Sequence, residues 1–463
     1  MANDMQFAGD FQLEHIIIHS ATEPPLDIKP LWIELNVYES INSSQLSGDV
    51  SIADSANHLQ NIPIVGQEEI EFVFGVPDNE MIDFESFRGR IYKVDSMVRT
   101  DYRQQVYTIH FTSKESIVNH RTRLNLAYED TGDVICDSIL RDVIQTNKAL
   151  DVEPSDLKVK LLGNNMKPFS FIRMLSKRCR SREFEGAGYL FFENHRGYNF
   201  RSWESLVANN NGPREHKMEY EVSFSEVKDV ERDMHFILDY RVTKNQDFMA
   251  ARASGLLAST HYIYNMHTKT YEKKEHRYHD VFEDRKHNED TAHPLIGAHP
   301  LFTDTPVEDT KRVSDYTESR LMLSNKDEKL HMQDTDDERN YDNHSNIKQD
   351  RLHDSVSHDQ LVVKCTVPGN SVLAAGDIVL LNLPSFEHIP TSAPTERYND
   401  LYLSGRWILT NVVHAVSPKN YSTTFDCVKD SVPIPYASGT TPLESNKEPE
   451  EGTQTLNTPG DIL

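Results

Sequence analysis

The densest run of side chains able to do chemistry lies between His261 and His299, where His276-x-x-His279-Asp280 offers three metal donors at short spacing. A zinc site needs its ligands held at specified positions by supporting elements. These residues have little periodic apolar support, and a solvated loop is the reading they favour. His195, two residues before Gly197 in a turn-like step, reads as a turn residue rather than a general base. The chain has no Gly-x-Ser-x-Gly, no His-Glu-x-x-His and no Gly-x-x-x-x-Gly-Lys, so nucleophile-elbow, zincin and P-loop chemistry have no sequence support. Acids for glycan cleavage are plentiful, but their geometry is invisible in sequence. A wall-degrading activity also needs a folded domain of its own, which the polar stretch 284–358 is a poor candidate to supply. Cys136, Cys179, Cys365 and Cys427 stand far apart without a Cys-x-x-Cys pair, as reduced packing residues do. No catalytic, cofactor-binding or metal-binding residue is assigned.

Composition narrows the classes further. The 463 residues are too many for one ordinary core. Acidic residues number 73 against 48 basic ones, a formal charge of −25. Such a surface repels phosphate backbones and disfavours tight DNA binding, which rests on Lys and Arg displacing counterions. The same sign suits a soluble surface, or a channel through which DNA slides without sticking. The opening residues lack a basic n-region and an apolar h-region, and nothing reads as a membrane span, so the chain is expected to begin in the cytoplasm.

The elements that must position any site are mostly strands. "LWIELNVYE" alternates Leu31, Ile33, Leu35 and Val37 with Trp32, Glu34, Asn36 and Tyr38, the period of a half-buried strand. Trp32 and Tyr38 then face away from the apolar side, as aromatics at an interface or in an internal layer do. "EEIEFVFGV" places Ile70, Phe72 and Phe74 on one face, with Glu68 and Glu69 at its entry. "QVYTIHFTS" does likewise with Tyr107, Ile109 and Phe111. Helical spacing takes over at Cys136, Ile139, Leu140 and Val143. Pro168 opens a second helix with Ile172, Leu175 and Cys179 on one side. "GYLFFEN" and "GYNFRS" read as a hairpin covering that helix, and Asn209 to Pro213 as a linker. From about Asp284 to His358 the text is polar and charged, an extended excursion or insertion too poor in apolar residues to offset its ordering entropy. Strand patterning returns from "LVVKCTV" to Val432, and an acidic tail rich in Thr, Pro and Gly follows.

One hairpin is written twice. Gly89-Arg90 opens "IYKVDSMV", a polar gap, "VYTIHFTS" and Lys114-Glu115-Ser116; Gly405-Arg406 opens "WILTNVVHAV", a polar gap, "YSTTFDCV" and Lys429-Asp430-Ser431. The openings are offset by 316 positions (405 − 89) and the closings by 315 (429 − 114). A weaker echo links "LSGDVSIAD" from Leu46 to "ASGLLASTH" from Ala253. Two β-units of one design are implied, the second one split. Three such chains would present six quasi-equivalent units, and so could mate with a sixfold object on one face and a threefold object through whatever is not duplicated.

Several stretches, in this order, resemble the central baseplate hub protein of contractile-tailed bacteriophages, a group related to the N-terminal half of type VI secretion spike proteins. They are "LWIELNVYESINSSQLSGDVSIADS", "IPIVGQEEIEFVF", "RGRIYKV", "KPFSFIRMLSKRC", "GYLFFEN", "GYNFRSWESL", "VPGNSVLAAGDIVLLNLP" and "SGRWILTNVVHAV" with "YSTTFDCVKDS". The resemblance implies an α+β, β-rich chain with two similar tail-tube-like β-barrel domains and helical and small α/β domains between them. On that pattern residues 1–10 are an N-terminal tail, 11–125 the first barrel domain, and 126–212 the helical and small α/β domain. Residues 213–283 begin the second tube-like domain, 284–358 are the excursion, 359–435 complete the second domain, and 436–463 are a tail expected to be disordered. It also implies a structural virion protein without enzymatic activity, assembled in the host cytoplasm: a homotrimer joining a tail tube or tube-initiator protein to a spike. Genomic DNA would pass through its acidic channel without specific binding, and no membrane anchor is implied. A tail-tip adhesin or carbohydrate-binding protein, or a hub with added hydrolase activity, remain as alternatives.

Overall fold

A computed structural model describes residues 7–20, 24–56, 58, 64, 66, 68–77, 82–83, 88–156, 158–184, 186–208, 218–222, 233–245, 247–266, 269–282, 285–289, 291–292, 315–325, 343–385, 399–400 and 402–432. The expected linker at Asn209–Pro213 and the tail 436–463 lie outside the described residues.

Alternating apolar residues form the first unit: β1 (Gln12–His19), β2 (Leu26–Asp27), β3 (Trp32–Ser40), β4 (Ser47–Asp54), β5 (Glu69–Gly75), β6 (Ile82–Asp83), β7 (Gly89–Asp101) and β8 (Gln104–Ser113). Ile70, Phe72, Phe74, Tyr107, Ile109 and Phe111 point into one core with Leu35, Val37 and Val50. A bulge between Trp32 and Glu34 overturns the expected alternation at the start of β3. An extra residue flips what precedes it to the other face. Ile33 is therefore exposed, and Trp32 packs inward, edge-on to Phe11 at 6.3 Å.

The chain then leaves the sheet through α1 (Lys114–Arg121), β9 (Ala127–Thr131), α2 (Gly132–Ser138) with a π-helical continuation over Ile139–Ile144, β10 (Ala149–Val152), β11 (Lys158–Leu162) and α3 (Pro168–Ser176). It returns by β12 (Tyr189–Asn194), β13 (Gly197–Ser202) and α4 (Trp203–Ala208). Strands β10, β13 and β12 form a small mixed sheet. Its core collects Cys136, Ile139, Leu140, Ile172, Leu175 and Cys179, the residues that helical spacing had grouped.

The second unit is split. It starts with β14 (Met218–Glu221) and β15 (Asp239–Asn245). There follow α5 (Phe248–Ser254), β16 (Ala258–Asn265), β17 (Thr270–Arg277), α6 (Tyr278–Phe282), β18 (Thr291–Ala292), β19 (Leu321–Asn325) and α7 (Asn343–Ser357). It closes with β20 (Leu361–Pro368), β21 (Ile378–Asn382), β22 (Gly405–Ser417), β23 (Asn420–Lys429) and β24 (Ser431–Val432). Fourteen strands of the two units form one continuous sheet, whose main path runs β15-β20-β23-β22-β3-β4-β8-β7-β5-β1-β2. Each unit repeats one order: β3-β4-β8-β7-β5-β1 in the first, β15-β20-β23-β22-β21-β14 in the second.

Two expectations need correction. The echo at Ala253 is not a second copy of β4, because Ser254 ends α5 and β16 belongs to a separate sheet with β17 and β19. The counterpart of β4 is β20, which likewise pairs with the second strand of its hairpin. Part of the polar excursion is packed structure: within α7 and the residue after it, Ile347, Gln349, His353, Asp354 and His358 are buried. Charge composition misled here because buried charges can be matched by one another instead of by water.

Gly48 shows how closely the first sheet is packed. A Cβ there would lie 2.3 Å from the Phe111 ring and 2.4 Å from the Asn36 carbonyl. Gly48→Ala is expected to lower stability by about 1–3 kcal/mol through overpacking, read as a reduced denaturation midpoint.

Candidate functional site at the junction of the two units

The duplicated hairpins hold equivalent places. Gly89 lies opposite Ile70 of β5, and Gly405 opposite Leu381 of β21, so each Gly-Arg step enters where the hairpin meets its third strand. Each hairpin carries a bulge soon after, between Ile91 and Lys93 and between Leu409 and Asn411. The side chains of the motif diverge. Arg90 pairs with Glu69 at 2.7 Å, whereas Arg406 donates to the Val207 carbonyl at 2.9 Å. Lys114 is exposed at the start of α1; Lys429 is buried, bonded to the Tyr402 and Ser404 carbonyls over the Trp407 ring.

The units join edge to edge. Six residue pairs, from Leu35 opposite Val416 to Ser40 opposite Asn411, bond β3 to β22 antiparallel. Tyr38 sits on this seam opposite Val413, 39% exposed and bonded to Asp49; Trp32 lies before it.

The turn between β12 and β13 plugs the seam from the small sheet, and its residues reach in three directions. Glu193 accepts from Leu46 N at 2.8 Å and Ser113 Oγ at 2.7 Å in the first unit, and from Lys148 Nζ at 2.5 Å. Lys148 also meets Glu115 at 3.0 Å. His195 donates its backbone N–H and pairs its Nδ1 with Glu39 Oε1, at 2.8 and 2.7 Å. Glu39 Oε2 accepts from Ala375 N of the second unit at 3.0 Å. Arg196 grips Asp377 with two bonds of 2.9 Å, and Asn194 Nδ2 reaches the Ala375 carbonyl. His195 thus stands in a turn, as its sequence context indicates, and it also bridges both units. Burial alone would raise the Glu39 carboxyl, but the charge and hydrogen bond of His195, with His414 and the Ala375 N–H, hold it at about 2. Burial pushes His414 down to about 4, so it is neutral at pH 7.

A second buried polar cluster, missed by sequence reasoning, anchors the excursion. Arg285 Nη1 and Nη2 each reach a carboxylate at 2.5 Å, Asp354 and Asp350 respectively, and Glu204 stands 3.9 Å away. The Arg285 guanidinium faces three acids, and the Arg180 charge also acts on Asp350. Burial, with the Asp354 charge beside it, pushes the Glu204 carboxyl up to about 8; burial likewise brings Asp350 to about 6. Next to it, Asp430 binds His287 Nδ1 at 2.5 Å and lies 3.7 Å from His358 Nε2. His276, from the histidine-rich run, is buried edge-on to His353 rather than solvated, and burial lowers it to about 4. The side chain of His279 lies outside the described residues. At the entry to β5, Glu68 is buried and accepts from Gly66 N, while Glu69 pairs with Arg88 and Arg90.

No family model matches the chain. Over 412 residues it is 22% identical to the probable baseplate hub protein gp334 of Vibrio phage KVP40, an alignment covering 86% of this chain and 89% of that protein. The chain is similar to a phage baseplate hub protein along most of its length. Among solved structures, the chain is similar to the tail protein of prophage MuSo2 from Shewanella oneidensis, with TM-score 0.49 and 9% identity over 91% of this chain and 100% of that one. A tail protein from Neisseria meningitidis gives TM-score 0.49 at 9% identity, covering 90% and 96%. An Escherichia coli type VI secretion component, described as similar to T4 tail proteins gp27 and gp5, gives TM-score 0.40 at 12% identity, covering 93% and 80%.

Two measurements probe this polar framework. Lys148→Ala leaves Glu193 and Glu115 buried without their shared cation and is expected to cost about 3–5 kcal/mol in chemical denaturation. Pairing Lys148→Met with Glu193→Gln is expected to recover part of that loss. Glu204 ionises in the folded state only near pH 8, against 4.5 for an ordinary Glu. The folded state therefore holds a proton that the unfolded chain releases, and stability falls as pH rises from about 4.5 to 8. Glu204→Gln should be neutral at pH 4.5 and stabilising by about 1–3 kcal/mol at pH 8, read from urea midpoints at the two pH values.

Proposed function

We propose that this chain is a structural, non-enzymatic hub of a phage baseplate, three copies of which close into a ring of six hairpin-built units between a sixfold tail tube and a threefold spike. The observation carrying this reading is the internal seam. β22 uses its outer edge, just past its bulge, to bind β3. The equivalent edge of β7, from Lys93 to Asp101, has no strand beyond it among the described residues, because β5 pairs with β7 only at Gly89 and Arg90. The counterpart of β3 is β15, which is bonded to β20 on one side and, among the described residues, ends the sheet.

One open edge of each kind per chain makes a head-to-tail contact, and a head-to-tail contact that closes makes a ring. Pairing β7 of one copy with β15 of the next reproduces the internal seam between copies, and three copies complete a sixfold repeat. Open edges of this kind are otherwise an aggregation hazard. Tyr92, Met97 and Val98 on β7 are at least half exposed, which fits a surface awaiting a partner. The separate sheet of β16, β17 and β19, which has no copy in the first unit among the described residues, exposes Leu321, Leu323, Tyr264 and Tyr271. In the proposed assembly this unduplicated surface serves the threefold partner. The net charge of −25 suits a lumen that DNA traverses without binding.

Sedimentation of the purified chain is expected to give a trimer. Met97→Lys with Val98→Lys, at exposed positions, should leave the chain folded and shift it to monomer by about tenfold or more in dissociation constant. A wild-type chain that stays monomeric at tens of micromolar, alone and with its tube and spike partners, would refute the ring.

A further inference from the structure

The two open edges depart from the internal seam by one residue each, and the departures fall at the same level. In the seam Val413 lies opposite Tyr38 and Ala415 opposite Asn36, with His414 and Val37 as the single rung between them. The equivalent positions follow from the inner partners. After its first bulge each hairpin resumes pairing at Lys93 opposite His110 and at Asn411 opposite Asp426. Asp95, opposite Thr108, therefore takes the place of Val413, opposite Thr424, and Val98, opposite Val106, that of Ala415, opposite Ser422. On the other side, β4 meets His110 through Asp49, and β20 meets Asp426 through Lys364. Arg241 thus stands for Asn36, and Lys244, opposite Val362, for Tyr38, opposite Ser47.

Between these rungs each open edge holds two residues where the seam holds one. Ser96 and Met97 on β7 replace His414, and Val242 and Thr243 on β15 replace Val37. Each surplus is a bulge against the strand's inner neighbour. An extra residue on one strand alone throws an antiparallel ladder out of register. Set at one level on both strands, the two cancel.

We infer that β7 of one copy pairs with β15 of the next in a single register: Asp95 opposite Lys244, Ser96 opposite Thr243, Met97 opposite Val242 and Val98 opposite Arg241. The inference rests on the ring reading above and adds the residues that select its joint. Val242 packs against the core of its own unit, and Met97, 55% exposed in the single chain, takes the place beside it that His414 takes beside Val37. The charges choose among registers. A one-residue slip exchanges the two faces. A two-residue slip keeps them, but one direction sets Lys93 opposite Lys244, and the other gives Lys244 Met97 in place of Asp95. Within the single chain Asp95 is held by Lys93 and His110, and Lys244 by Asp359. Those pairs lie partly in solvent, so exchanging them across the joint strips no buried partner, and the gain is selectivity more than strength.

The test is cysteine cross-linking in the full-length chain, whose four native cysteines are buried. Asp95→Cys with Lys244→Cys, oxidised by copper phenanthroline, is expected to give a covalent trimer on a non-reducing gel. Lys93→Cys with Lys244→Cys, and Met97→Cys with Lys244→Cys, report the two slipped registers and are expected to give about tenfold less, since residues two positions off lie beyond the reach of a disulfide. A second measurement needs no cysteine. Asp95→Lys is expected to raise the dissociation constant of the trimer about tenfold, and adding Lys244→Asp to recover most of that loss. A wild-type trimer in which a slipped pair cross-links best overturns the register. So does one in which no pair cross-links and the charge swap recovers nothing, and in both cases the trimer itself still stands. A wild-type chain that stays monomeric, alone and with its partners, overturns the ring and this joint with it.

Discussion

The architecture hangs on a strand seam between opposite ends of the chain. β3 and β22 could each have remained a sheet edge; bonded together, they turn two separate sheets into one. A seam of this kind must be specified in register, since a one-residue slip exchanges the buried and exposed faces of a whole strand. Backbone bonds alone do not do that. The register is pinned by side chains that fit in one arrangement: Glu39 beneath His195, His414 against Tyr421, and Ala375 donating across from the other unit.

Those pins are polar and buried, which is a costly choice. Two apolar surfaces would give more stability per residue than charged groups taken out of water. They would also tolerate sliding. The end of β12 and the turn after it instead supply Glu193, Asn194, His195 and Arg196, each committed to a different partner, so the small sheet fits in one pose only. Around the Arg285 cluster the same strategy is taken further, with three acids about one guanidinium and a proton on Glu204 relieving part of the excess negative charge near neutral pH.

Local pattern carried part of this into the sequence. Strands whose partners are close along the chain announced themselves through Ile70, Phe72 and Phe74 or Tyr107, Ile109 and Phe111, because burial on one face imposes period two. The helix at Pro168 did so by its apolar spacing. The duplicated Gly-Arg step led to hairpins in matching places, although Lys114 and Lys429 turned out to have opposite environments. What pattern could not carry was anything set at long range. The bulge at Ile33 has no local signature, since it depends on how β4 meets β3. Helix α7 reads as solvated because its burial rests on Arg285, whose position no spacing rule links to Asp354. The seam cluster was equally hidden: Glu39, His195 and His414 lie in three segments, and only His195 drew notice, as a turn residue.

Duplication followed by divergence also bears on how such a ring would assemble. In the proposed trimer the seams alternate between one built into each chain and one made between chains, and they are not chemically alike. The internal seam has buried Glu39 and His414 beneath a covalently tethered plug. On the open edges the available groups are solvated: Lys93 and Asp95 pair with each other on β7, and Lys244 on β15 pairs with Asp359. Solvated pairs contribute little and are screened by salt. Backbone pairing and the exposed Met97 and Val98 would therefore have to supply most of the affinity between copies. In the proposed assembly a chain so built would keep its own two units in fixed register while leaving the joint between copies weak enough to form last, once three chains were present to close it.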